Sequence, residues 1–191
     1  KIIREDALKK LIAIAENDKK IGILGCKLIS PNGEIQYVGM QIDLLSPNGV
    51  KWRKPFKEIP GEPQEVYSVD GAAFLIKRNV INRIGVFDER FSPLYYEETD
   101  YCVRAKRAGF LVKMTYFVEV VHYGGGCSKQ KLPEYLHFVF RTNSIRFALI
   151  NFSVPLLIVR IFYECYTFLR CLPRKMLEKK NKNVRSSFTN F

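Results

Sequence analysis

The chain has 191 residues, 47% of them hydrophobic, and carries 31 Lys and Arg against 19 Asp and Glu for a net charge of +12. That length suits one ordinary domain with a real core, and the composition excludes a generally disordered chain. Five scattered cysteines without a C-x-x-C pair point away from a zinc site or a disulfide framework, and toward a reducing, cytoplasmic setting.

In chain order, Arg4 to Glu16 places Leu8, Leu11, Ile12 and Ala15 on one face, which predicts an amphipathic helix. "KIGILGCKLI" predicts a buried strand, "SPNG" a turn, and "EIQYVGMQID" a second strand. The Pro-, Gly- and charge-rich segment from Leu45 to Pro63, with Trp52 inside it, predicts a long surface excursion of the kind that carries binding groups. Val66 to Ile76 is apolar, interrupted by Asp70-Gly71-Ala72-Ala73. Small residues there allow a close backbone approach, and a plain bulge in a buried strand explains them equally well. A short helix is expected over Arg78 to Ile84, then a loop.

The stretch "PLYYEETDYCVRAKRAG" predicts a helix from about Glu97 to Ala108, stopped by Gly109. Acids in a first turn and bases further along complement the helix macrodipole, and Asp100 and Arg104 are spaced to pair on one face. "FLVKMTYFVEVVH" predicts a strand ending at His122, followed by the irregular "YGGGCS". Leu136 to Leu172 is helical in pattern, with a break expected at Pro155. Its apolar run is interrupted by Arg160 and falls short of the roughly 20 residues a bilayer span needs. From Arg170 onward Arg170, Arg174, Lys175, Lys179, Lys180, Lys182 and Arg185 face one acid, Glu178. A helix lying on an anionic membrane surface fits this pattern, and a core or partner-facing helix is the competing reading. Basic and aromatic residues do not interleave outside the tail, so no nucleic acid is expected as a partner.

"VDGAAFLIKRNVINRIGVFDERFSPLYYEETDYCVRAKRAGF" followed by "VEVVHYGGGCS" resembles the acceptor-side half of family 2 glycosyltransferases of the GT-A fold, of the rhamnosyltransferase-like kind. The ordered features are Gly71-Ala72, Gly85 to Phe91, Tyr95-Tyr96, Glu97 to Asp100, Arg104, Gly109 and His122. The resemblance covers residues 1 to about 150. It implies an α/β chain in which a mixed sheet with flanking helices forms part of a GT-A-like fold, followed by an apolar and basic helical region. The expected divisions are 1–135 for the glycosyltransferase part, 136–172 for the helical region and 173–191 for a disordered basic tail.

The resemblance also implies a reaction: transfer of a sugar from a nucleotide donor to a glycan or lipid-linked acceptor with inversion, by a protein peripheral to the inner face of the cell membrane. A hydroxyl becomes an adequate nucleophile when a carboxylate takes its proton. That role falls on Glu98, with Glu97 as the second candidate. Asp70, Gly71, Ala72, Trp52, Tyr95, Asp100 and Arg104 are the candidate substrate-binding residues, Trp52 and Tyr95 by stacking on a sugar face. His122 is the candidate metal ligand, for Mg or Mn in the complete enzyme and with none expected on this chain alone.

Two departures stand out. Glu98 occupies a place where the family more often has Asp. No D-x-D pair occurs, although that pair carries the metal and diphosphate in the family. The chain, opening on Lys1, is therefore read as lacking the N-terminal nucleotide-binding half of the same domain. The alternative is a non-catalytic membrane-surface or interaction module that retains the fold.

Overall fold

The computed structural model describes residues 2–3, 6–42, 50–52, 60–124, 131–166 and 168–170. It falls into two compact units, Lys1–Asn151 and Phe152–Phe191.

The first unit is built on two long parallel strands, β2 (Ile21–Ile29) and β8 (Leu111–Val121). β1 (Ile2–Ile3) and β6 (Gln64–Glu65) pair antiparallel with β8. β3 (Ile35–Tyr37) and β7 (Phe74–Ile76) pair antiparallel with β2. A separate hairpin joins β4 (Met40–Ile42) to β5 (Val50–Trp52). The helices are α1 (Ala7–Glu16), α2 (Arg78–Ile84), α3 (Glu97–Arg107) and α4 (Pro133–Asn151). This is the expected α/β arrangement, a mixed sheet flanked by helices that makes part of a GT-A-like fold.

All but the last residue of β2 is buried, as a strand covered on both faces requires. α1 and α3 both pack on β2 and β8. Leu11 and Ala15 of α1, and Tyr101, Cys102 and Ala105 of α3, join Ile23, Leu24, Leu28, Val112 and Met114 in the core. Gly25 sets the path of the chain across β2. A Cβ there would stand 2.6 Å from Val69 Cγ1, so only glycine lets Val69 cross the strand and carry residues 70–73 over the sheet.

The strand pair slips at Cys26 and Lys27, whose partners are Thr115 and Glu119. Tyr116, Phe117 and Val118 form the resulting bulge, held by a Phe117 N–H donating to Thr115 Oγ1 at 3.2 Å and by the Lys27–Glu119 ion pair.

Several elements differ from the expectation. "EIQYVGMQID" makes two strands in different sheets, because Gly39 at φ +102° turns the chain between them. Val66 to Ile76 is regular only at Phe74–Ile76. The inward stripe of α1 is Ala7, Leu11 and Ala15, while Leu8 and Ile12 are exposed. The helical break falls at residues 152–153, with Pro155 inside the first turn of the next helix, where its missing N–H costs nothing. The first unit runs to Asn151, past the expected boundary at 135, because α4 is tied into it. Arg107 of α3 donates to Asn151 Oδ1 at 2.9 Å and to its carbonyl at 2.8 Å.

In the second unit a helix covers residues 154–166, with 168–170 also helical. Arg160 is buried and pairs with Glu164 at 2.6 Å. Val154, Ile158, Ile161, Phe162, Cys165 and Leu169, recurring at helical spacing, are exposed. No helix among the described residues is long and apolar enough to cross a membrane. The tail 173–191, most of the excursion around Trp52, and "GGCS" lie outside the described residues.

Candidate active site

The parallel strands β2 and β8 end side by side, with the His122 N–H donating to Ile29 O at 2.8 Å. In open α/β sheets the space beyond the carboxyl ends of the strands is where ligands bind. β7 runs antiparallel to β2 with Phe74 opposite Gly25, so residues 70–73 continue toward that same end. Cys26 Sγ donates to Ala73 O at 3.5 Å, fixing the loop against β2. Asp70 Oδ1 accepts from the Ala72 N–H at 2.7 Å, a local turn that shapes the loop.

Glu98 meets this loop. A Cβ placed on Gly71 would lie 3.7 Å from Glu98 Oε2 and 3.8 Å from its Cβ and Cγ, so the first turn of α3 rests on the Asp70-Gly71 backbone. Thr99 Oγ1 donates to Glu98 Oε1 at 3.2 Å. Burial, reinforced by the neighbouring charges of Glu97 and Asp70, pushes the Glu98 carboxyl up to about 7. The carboxyl of Glu97 is raised as well, by burial first and Asp70 after it, and its Oε2 is buried without a hydrogen-bond partner among the described residues. Glu97 and Glu98 thus stand with Asp70 and Gly71, while Ala72 flanks them in the same loop.

Tyr37 belongs to this group, although nothing in the sequence singled it out. Its buried hydroxyl donates to Ser68 O at 3.1 Å. Burial raises its phenol well above the ordinary value, and the charges of Asp70 and Glu98 add to the effect. Its neighbour Gln36, on the opposite side of the same three-residue strand, reaches the candidate His122.

The remaining candidates are held elsewhere. Asp100 is buried, with Arg104 Nε at 2.8 Å and Asn151 Nδ2 at 2.9 Å. Arg104 also donates to Ile84 O at 3.0 Å and Val86 O at 2.9 Å. These two side chains therefore bolt α3 to the end of α2 and to α4, the pairing that their spacing also predicted. Tyr95 is half-buried, its ring edge-on to Phe140 at 5.4 Å. His122 Nδ1 lies 3.2 Å from Gln36 Oε1, and Gln36 Nε2 donates to His122 O at 3.0 Å. Among the described residues no three of His, Cys, Asp and Glu come together as a metal-holding group. Those residues therefore do not by themselves make the ligand set of a divalent ion. Trp52 is paired through its backbone with Met40, and its side chain lies outside what is described.

The half-buried Glu98 carboxyl thus rests on a small-residue loop near the carboxyl ends of the parallel strands. Residues 1–135 match the family described as "Glycosyltransferase like family". The chain is similar to an uncharacterized protein y4gI of Sinorhizobium fredii, at 27% identity over 64% of this chain and 14% of that protein. It is similar to the O-antigen biosynthesis protein RfbC of Myxococcus xanthus, at 26% identity over 61% of this chain and 10% of that protein. A third relative is the N-acetylglucosaminyl-diphospho-decaprenol L-rhamnosyltransferase of Mycobacterium tuberculosis, at 25% identity over 61% of this chain and 42% of that protein. The chain belongs to the glycosyltransferase-like family, within the family 2 glycosyltransferases. It spans under half the length of these relatives.

Proposed function

We propose that this chain is the acceptor-side part of an inverting glycosyltransferase and that Glu98 is its general base. The observation that carries the reading is the Glu98 carboxyl, resting on Gly71 beside Asp70 and held to about 7. A base with that affinity is half ionised near neutral pH and still binds a proton well enough to take it from a hydroxyl. The acceptor O–H gives its proton to Glu98 as the oxygen attacks the anomeric carbon from the face opposite the leaving group. The bond from that carbon to the nucleoside diphosphate breaks, and the configuration inverts. The proton then passes from Glu98 to water. Burial first, and then Glu97 and Asp70, hold the base's affinity up.

The donor is a nucleotide sugar, and the acceptor a glycan or lipid-linked glycan, by the similarity to proteins named for O-antigen synthesis and for rhamnosyl transfer to a decaprenol-linked sugar. Mg or Mn would neutralise the leaving diphosphate. Its carboxylate ligands would come from sequence beyond residues 1–191, with His122 as the contribution of this chain. A further part of the same domain would supply the nucleotide site. We place the enzyme on the inner face of the cell membrane, through the exposed apolar stripe of residues 154–169.

In the complete polypeptide, Glu98→Gln keeps the shape and removes the base. Turnover is expected to fall about 10²- to 10⁴-fold with donor KM little changed. Undiminished turnover would overturn the assignment and favour the non-catalytic module.

A further inference from the structure

Two consecutive tyrosines stand before the site glutamates in a backbone conformation that tyrosine rarely adopts. Tyr95 has φ 75° and Tyr96 φ 76°, both left-handed, and Tyr96 is the N-cap of α3. Such strain persists only where surrounding structure over-determines it, and it collects at functional sites. The surroundings here belong to α4. Asn143 is 1% exposed, and its Nδ2 donates to three carbonyls, Phe91 O at 2.7 Å, Leu94 O at 2.9 Å and Tyr95 O at 3.2 Å. Arg146 fixes the other end of the amide, donating to Asn143 Oδ1 and, at 2.6 Å, to Arg90 O. One turn to either side, Phe140 and Phe147 pack on the ring of Tyr96 at 5.6 and 5.2 Å. Phe140, Asn143 and Phe147 share one face of α4, as their spacing requires.

Resting on the reading of Glu98 as base, we propose that Asn143, oriented by Arg146, is a positioning residue that holds the left-handed Tyr95–Tyr96 turn and so sets the carboxyl of Glu98 against Asp70-Gly71. A buried asparagine amide has two N–H groups and an acceptor oxygen to satisfy. Its two N–H groups, shared among Phe91 O, Leu94 O and Tyr95 O, tie the segment that leads into the strained Tyr95–Tyr96 turn, directly ahead of the glutamates, to one point on α4. Without the clamp the turn relaxes toward right-handed φ, and the first turn of α3 rotates the carboxyl away from Gly71. The groups facing Glu98 are Glu97 on its own helix, Asp70 on the loop, Tyr37 on β3 and the thiol of Cys102 one turn along α3. Leaving them returns the carboxyl to water.

The test uses the complete polypeptide with its sugar-nucleotide donor, Asn143→Ala and the more exposed Arg146→Gln, with folding followed by circular dichroism. For Asn143→Ala kcat should fall about 10- to 100-fold with donor KM unchanged, as expected of a base displaced by an ångström or so. The acidic limb of the pH–rate profile should move from near 7 toward the ordinary glutamate value of 4.5. Arg146→Gln should move both in the same direction by less, and it decides the matter if Asn143→Ala does not fold. Folded variants with kcat and the acidic limb unmoved, or with donor KM raised and kcat intact, overturn the clamp. Glu98→Gln separates the two ideas: if it is fully active the base reading fails; if it is inactive while the clamp variants behave as wild type, only the clamp fails.

Discussion

Glu98 holds its proton more tightly in the folded chain than in the unfolded one, because burial, Glu97 and Asp70 all disfavour its anion. Raising the pH from the ordinary glutamate value of 4.5 through about 7 therefore removes stability, as the folded state must ionise a group that resists it. A gap of that size corresponds to roughly 3 kcal/mol, fully expressed above pH 7 and absent below pH 4. Gln at this position keeps the shape and never ionises. Glu98→Gln should accordingly melt several degrees higher than the parent at pH 8 and at nearly the same temperature at pH 4, by calorimetry at both values. An equal or lower melting temperature at pH 8 would mean that the anion is not strained. Loss of turnover with gain of stability in one variant is the mark of a residue kept for chemistry. At this scale the sequence was legible where residue type and order matter together, as at Glu97, Glu98, Asp70 and Gly71. It was illegible where a role depends on what lies across the fold. Asn143 looks like one polar residue in an apolar helix, and Gln36 like a strand position; only the packed structure shows which backbone each one reaches.

Among the elements, β2, α3 and β8 follow their sequence patterns closely, because burial on both faces and an acidic first turn are written in adjacent residues. The patterns that misled were local ones, such as the two strands parted at Gly39, or the stripe of α1, in which Leu8 and Ile12 are exposed. The helix over 154–166 inverts the usual amphipathic order. Its charged pair, Arg160–Glu164, is shielded from solvent, while Val154, Ile158, Ile161 and Phe162 are exposed, as is Leu169 beyond it. Exposed apolar patches of this kind mark interaction surfaces. We propose an anionic lipid surface as the occupant, because seven basic residues against one acid come directly after it. The full chain should float with vesicles containing about one-third phosphatidylglycerol, and Ile158→Ser with Phe162→Ser should abolish this. Attraction to headgroups is screened by salt, so binding should weaken near 1 M. Failure to bind anionic vesicles, or binding that the double substitution leaves intact, would reject the lipid surface and leave a protein partner as the occupant.

At the scale of the molecule, the sheet ends at β7 among the described residues. Among the described residues β7 pairs with β2 alone, and its half-buried residues Phe74, Leu75 and Ile76 lack a second neighbour. Beside it an open groove of about 550 Å³ has Ile12, Ala15, Leu75 and Ile76 on its apolar part and Glu16, Lys19, Lys77, Arg78 and Asn79 on its polar part. Unpaired apolar edges invite another strand, and the nucleotide-binding part proposed for the complete domain would supply one. Hydrogen exchange at Phe74–Ile76 should slow markedly in the longer polypeptide relative to residues 1–191, and unchanged exchange there would place that part elsewhere. The cysteines differ sharply in reactivity. Burial pushes the thiols of Cys26 and Cys102 up to about 12, so at neutral pH both remain protonated and inert, whereas Cys165 stands exposed in the apolar stripe. With Cys127 and Cys171 changed to serine, a maleimide dye would find Cys165 as its target among the described thiols. The chain thus carries its own spectroscopic handle on the surface where it is expected to meet lipid. A blue shift in that dye's emission would time the landing without disturbing the glutamate proposed as base.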